Sequence, residues 1–157
     1  MNDEFELGVE RHIQAPPAAV WAIMTDRLAE WWCPKPWETD VEEIDWRPGG
    51  RSAMTMRGPG GETFPNEGVI LEFVPGRRWV STDAFRAGWV PAEPFMVGTW
   101  EVVPHEGGSL YRASARHWTA EARDKHLSMG FEQGWDAVAD QLKALAESEA
   151  GAARAAA

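Results

Sequence analysis

The stretch HWTAEARDKHLSMGFEQGWDAVADQLKAL, from His117 to Leu145, decides the reading of the fold. At ~100° per residue, Leu127, Phe131, Trp135, Val138, Leu142 and Leu145 fall on one narrow stripe, and Glu132, Asp136 and Asp140 fall off it. The spacing predicts one long amphipathic C-terminal helix. Gly130 and Gly134 sit one turn apart beside the stripe, and each costs a helix ~1 kcal/mol relative to alanine. A pair of them implies close approach of another backbone, or space left open beside the helix. A notched helix that closes over something implies a cavity.

Ahead of that helix the chain reads as strands punctuated by turns. Phe5, Leu7, Val9 and Ile13 mark a first strand, which Ala15-Pro16-Pro17 ends. Proline is tolerated in a first helical turn, so a helix carrying Val20, Trp21 and Met24 follows. A second short helix holds Leu28, Trp31 and Trp32 before Pro34 and Pro36 stop it. Residues 41–46, 52–57, 67–74, 78–83, 96–103 and 110–118 then read as strands. Between them lie Arg47-Pro48-Gly49-Gly50, Gly58-Pro59-Gly60-Gly61, Pro75-Gly76 and Glu106-Gly107-Gly108, where Pro presets one turn dihedral and Gly supplies another. Residues 85–95, with Gly88, Pro91 and Pro94, read as a loop. A meander without βαβ alternation predicts an antiparallel sheet in an α+β fold, strongly bent, with the last helix in its concave side. The Ala-rich tail after Glu149 has little to bury and reads as disordered over 150–157, leaving 1–149 as a single domain.

Ten tryptophans stand against one tyrosine in 157 residues, more bulky rings than core packing alone accounts for, so some are expected to line an apolar pocket. The formal charge of −10 repels phosphates and anionic lipid, which argues against nucleic acid and membrane surfaces as partners. A single cysteine, Cys33, cannot form an internal disulfide and reads as a small buried residue in a reducing compartment. The N-terminus lacks the basic start and apolar run of a signal peptide, and no apolar run reaches the ~18 residues of a membrane span. The expected location is cytoplasmic.

The last strand carries the candidate site. If Tyr111 faces inward, the period of two puts Ala113, Ala115 and His117 beside it, with Arg112, Ser114 and Arg116 outward. Two alanines on a core-facing strand leave volume that a ligand or a large opposing residue must fill. The expected pocket has ~300 Å³ or more. Its walls are Met54, Met56, Trp100, Tyr111, Ala113, Ala115, His117 and Phe131, with Trp89 at the rim. His117 reads either as a core histidine bonded to a backbone carbonyl or as a binding or acid–base group. His126 lies off the stripe, which directs it to solvent or the pocket mouth. His105, His117 and His126 lack short metal-ligand spacing, so neither a metal nor another cofactor is expected. Gly-x-Ser-x-Gly is absent, and Gly58-Pro59-Gly60-Gly61 reads as a hairpin turn rather than a phosphate loop.

Five segments together resemble the Hsp-90 ATPase activator homology family, of the START-like or SRPBCC superfamily: Arg11 to Trp21, Trp31-Trp32, Arg47 to Gly50, Pro75 to Arg78 and His126 to Trp135. The resemblance spans roughly Leu7 to Leu145 and implies a helix-grip, Bet v 1-like fold around a deep apolar cavity. Members of the superfamily bind lipids, polyketides, hormones and aromatic compounds, and a few are enzymes, so fold alone does not select an activity. The matching motifs mark turns and packing, and no catalytic residue carries over. The leading expectation is non-enzymatic binding of a small hydrophobic or aromatic molecule. The alternatives are a polyketide-cyclase or hydrolase type enzyme using His117, with Asp83 or Glu72 nearby, and a chaperone-interacting regulatory domain. A second copy of the chain, as a homodimer, is a further candidate partner.

Overall fold

The computed structural model describes residues 4–156. Strand β1 (Glu6–Ile13) leads into α1 (Pro17–Asp26) and a 3-10 turn (Leu28–Glu30). Strands β2 (Glu38–Ile44), β3 (Arg51–Arg57), β4 (Thr63–Val74) and β5 (Arg78–Thr82) follow. A two-stranded ribbon, β6 (Phe85–Arg86) with β7 (Val90–Pro91), precedes β8 (Val97–His105), β9 (Gly108–Arg116), α2 (Ala120–Ser128) and α3 (Phe131–Ala156). Seven strands form one antiparallel sheet in the order β1-β9-β8-β5-β4-β3-β2, curved around the C-terminal helix. This is the α+β helix-grip arrangement expected from the turns and the helical stripe.

The hairpin chemistry sets the strand order. His105 pairs with Gly108 across a two-residue turn, in which Glu106 and Gly107 both have positive φ (46° and 78°). That geometry matches the twist of the flanking strands. β4 begins at Thr63, four residues before the start that its apolar alternation suggests. Its first half contains Pro65 and pairs only with β3, because β5 covers β4 no further than Val69. A proline without an amide hydrogen is tolerated on such an unpaired side.

The C-terminal stretch departs from the single helix read in the sequence. Gly130 has φ +95°, a left-handed conformation that closes α2 and starts α3 in a new direction. Thr119 Oγ1 caps the start of α2 by accepting from the Ala122 amide. Leu127 therefore leaves the stripe and is exposed, while His126 turns inward. On α3 the buried side runs through Phe131, Ala139, Leu142 and Ala146, flanked by half-buried Trp135, Val138 and Leu145. The Ala-rich end, read as a disordered tail from residue 150, continues α3 to Ala156, with Ala150 packed against the core. Residues 1–3 and 157 of the expected domain and tail lie outside the described residues.

Polar clamps dock α3 onto the sheet and onto the Trp31–Lys35 segment. Arg11 reaches Asp136 (3.1 Å) and Asp140 (2.8 Å), and Lys143 Nζ donates to the His12 carbonyl (2.8 Å). The Gln141 amide donates to the Trp31 carbonyl (3.2 Å) and the Cys33 carbonyl (2.9 Å), and its oxygen accepts from the Lys35 amide (2.9 Å). One side chain thus holds the loop that carries Trp32. Gln141→Ala is expected to destabilise the fold by about 2 kcal/mol, since it strands backbone groups that are partly shielded from water. Urea unfolding of the two proteins checks this, and a change below about 0.5 kcal/mol, typical of surface substitutions, would count against the clamp.

Candidate functional site

Between the concave face of the sheet and the start of α3 lies a cavity of about 460 Å³. Its walls are mostly aromatic and methionine side chains. Trp46 packs edge-on against Trp79 (ring centroids 4.9 Å), Trp79 stacks on Trp100 (5.3 Å), and Trp100 stacks on Trp135 (5.9 Å). Trp32 leans on Trp100 from the segment that Gln141 holds (4.9 Å), and Phe131 stacks on Trp135 (4.5 Å). Five of the ten tryptophans, Trp32, Trp46, Trp79, Trp100 and Trp135, therefore face this space. Phe64 and Met129 are its most exposed large apolar lining residues (57% and 65%), which puts the mouth between β4 and the α2–α3 junction.

Of the residues selected from the sequence, Met54, Met56, Trp100, Tyr111 and Phe131 line the cavity. Ala113, Ala115 and His117 face inward as the alternation predicts, but they do not line it. The small residues make room for an indole instead. Trp100 is the cross-strand partner of Ala113, Gly98 is that of Ala115, and the Trp100 ring folds back over Gly98. A Cβ at Gly98 would stand 2.3 Å from that ring. Trp89 is not at the rim: it is 57% exposed, packs edge-on against Phe85 and rests its ring on Gly49. Gly134 does line the cavity, and a Cβ there would meet only Pro34 Cγ at 3.9 Å, so this glycine leaves open space as expected.

His117 is a core histidine with both nitrogens engaged. Its Nδ1 is 2.8 Å from the Phe5 carbonyl, and its Nε2 is 2.9 Å from Nδ1 of His126. His126 is the polar wall residue that the sequence reading misplaced. It is 8% exposed, lines the cavity and sits among Phe95, Phe131, Trp135 and His117, with ring centroids 4.8–5.9 Å away. Burial, reinforced by the neighbouring His117, lowers its pKa from 6.5 to about 4. Recognising Met129-Gly130 as a helix stop after the Thr119 cap was the signal that would have turned His126 inward.

That shift has a consequence for stability. The unfolded chain takes up the His126 proton near pH 6.5, and the folded chain resists it down to about 4. Stability from this group is therefore intact above pH 6.5 and falls as pH drops through that window, by at most about 1.4 kcal/mol per pH unit. The carboxylates of Glu30 and Glu147, held low by Arg27 and Lys143, add their losses at more acid pH. Melting temperatures measured from pH 7 to 4 are expected to fall less steeply for His126→Gln than for the wild type. Equal slopes would remove His126 from the acid response.

The remaining polar lining is Ser52, Asn66, Ser81, Thr82, Asp83 and Tyr111. Asp83 Oδ1 accepts from the Phe95 and Met96 amides (2.8 and 3.2 Å), fixing the loop that presses Phe95 against His126. Glu72, the other carboxylate considered beside His117, is exposed and paired with Arg78 at 2.6 Å. Tyr111 is 1% exposed, and its hydroxyl has no partner among the described residues. Burial raises its pKa, so it stays a neutral O–H on the cavity wall. Cys33 is buried against the Thr39 hydroxyl (3.0 Å), and burial raises its thiol pKa, which leaves it inert. No group of three His, Cys, Asp or Glu among the described residues is placed to hold a metal ion.

A curved sheet gripping a C-terminal helix is shared with known proteins. The family model described as activator of Hsp90 ATPase homolog 1-like protein matches residues 14–147. The chain belongs to this family. A solved protein of Nitrosomonas europaea is 36% identical, with 95% of this chain and 98% of that one covered, at a TM-score of 0.87. A Mycobacterium smegmatis protein is similar at 26% identity, 91% coverage of both chains and a TM-score of 0.77. The AHSA1 protein of Silicibacter pomeroyi, at 19% identity and a TM-score of 0.70, shares the fold, with 92% of this chain and 99% of that one covered. No curated protein gives a significant match. No helix among the described residues is long and apolar enough to cross a membrane.

Proposed function

We propose that this family member binds a small hydrophobic or aromatic molecule in the cavity between the sheet and α3, without catalysing a reaction on it. The cavity itself carries the reading: about 460 Å³ with walls dominated by five indoles, Met54, Met56 and Phe131. Such a volume lies within the range of small-molecule pockets, and flat aromatic walls favour flat or aliphatic guests. The enzymatic alternative loses its central residue. Both nitrogens of His117 are occupied and it lies behind the wall, while His126, with its pKa near 4, is a weak base at neutral pH. Efficient general bases have pKa values near the working pH.

The test is native mass spectrometry of protein purified gently from its own host. A single apolar or aromatic molecule bound one-to-one is expected, and it should be absent from a variant whose cavity is filled at Gly134. Equal retention by that variant would place the ligand elsewhere.

A further inference from the structure

The cavity holds one polar atom whose hydrogen-bonding role is dictated from outside it. The Phe5 carbonyl can only accept, so the His117 nitrogen 2.8 Å away, Nδ1, must carry a proton. With the His117 ring neutral, its Nε2 is then a lone pair, and His126 Nδ1, 2.9 Å away, must donate to it. In neutral His126 the proton is thereby spent on Nδ1, and Nε2 is left as an acceptor. This nitrogen has no partner among the described residues, yet none of their side-chain nitrogens or oxygens sealed from solvent lacks one. His126 Nε2 therefore opens onto the cavity that its residue lines. The rings packed on His126 are His117 just past β9, Phe131 and Trp135 of α3, and Phe95 of the loop before β8, and no described residue donates to Nε2.

We infer that His126 Nε2 is the orienting acceptor of the site, and that its ligand is an aromatic molecule carrying a hydroxyl or N–H donated to that nitrogen. This rests on the cavity-binding reading and adds the chemical class. An acceptor without a protein partner, on a side chain that is nine-tenths buried, costs free energy when its cavity is filled by pure hydrocarbon, so a donor-bearing guest is favoured over its capped analogue. His117 is a positioning residue, acting on the ligand only through the tautomer that it imposes on His126.

The test titrates intact protein with 2-naphthol, 2-methoxynaphthalene and naphthalene at pH 7.5, by quenching of tryptophan fluorescence and by calorimetry. Wild type is expected to bind 2-naphthol roughly tenfold more tightly than its methyl ether, the effect of one net hydrogen bond. His126→Phe should bring the two affinities together while still binding naphthalene. Equal affinities in the wild type, or an undiminished preference in H126F, would overturn the role of His126 and leave the cavity reading standing. Failure of all three aromatics to bind would overturn the cavity reading as well. Nitrogen-15 spectra of the wild-type histidines supply a readout that does not depend on the variant folding. They should show His126 Nε2 unprotonated and shifting when 2-naphthol is added, and a proton on Nε2 in the neutral ring would refute the assignment.

Discussion

Trp31→Ala is expected to lower the melting temperature by about 10–15 °C. The side chain is fully buried, its Nε1–H donates to the Ile23 carbonyl (3.3 Å), and its ring meets Trp32 and Tyr111 edge-on. Truncating a buried aromatic costs ~3–5 kcal/mol through the cavity it leaves, and the indole hydrogen bond is lost with it, although the Ile23 carbonyl keeps the Arg27 amide (3.1 Å). For a domain of this length each 1 kcal/mol moves the midpoint by about 2–4 °C. The same change at Trp118, which is 51% exposed, should move it by no more than about 2 °C. Thermal melts followed by circular dichroism compare the two variants. A small shift for W31A would mean that the α1 region contributes little to the cooperative core.

Gly134→Leu should separate stability from binding. The glycine sits in the first turns of α3 with a normal helical hydrogen bond to Gly130 (2.9 Å), and its missing side chain opens onto the cavity. Replacing glycine within a helix gains ~1 kcal/mol of propensity. The new side chain would occupy part of the 460 Å³ that a ligand needs. G134L is therefore expected to melt at or above the wild-type temperature while binding an apolar fluorescent probe at least tenfold more weakly, the effect of about 1.4 kcal/mol. Unchanged probe affinity would show that ligands enter a different part of the fold.

Gly134 also shows how far a residue-level reading can reach. Its cost to the helix was visible without coordinates, and it does border the cavity. Gly130 looked identical at that level and does something else, because a left-handed glycine ends a helix as readily as an ordinary one notches it. Treating the pair alike extends one helix through the break, places Leu127 on the stripe and directs His126 to solvent or the pocket mouth. Ala113 and Ala115 failed for a different reason. Alternation along β9 gave their direction correctly, but whether small side chains leave a hole depends on what folds across them, and Trp100 lies back over Gly98 on the adjacent strand.

By itself the sequence determined the features that arise from neighbours along the chain. These are the meander of strands, because Pro and Gly turns are local; the buried side of α3, because a 3.6-residue period is local; and the inward set on β9, because a strand alternates. The family followed from the order of such segments. Only the tertiary structure decided which side chains share the cavity. Trp32, Trp46, Trp79, Trp100 and Trp135 come from the loop after α1, the β2–β3 turn, two central strands and α3, and no spacing in the chain relates them. The hydrogen bonds joining Phe5, His117 and His126 likewise link the chain just before β1 to that just past β9 and to α2. Such a constellation is set by how the sheet curves and where Gly130 turns the backbone, and these are properties of packing rather than of any single segment.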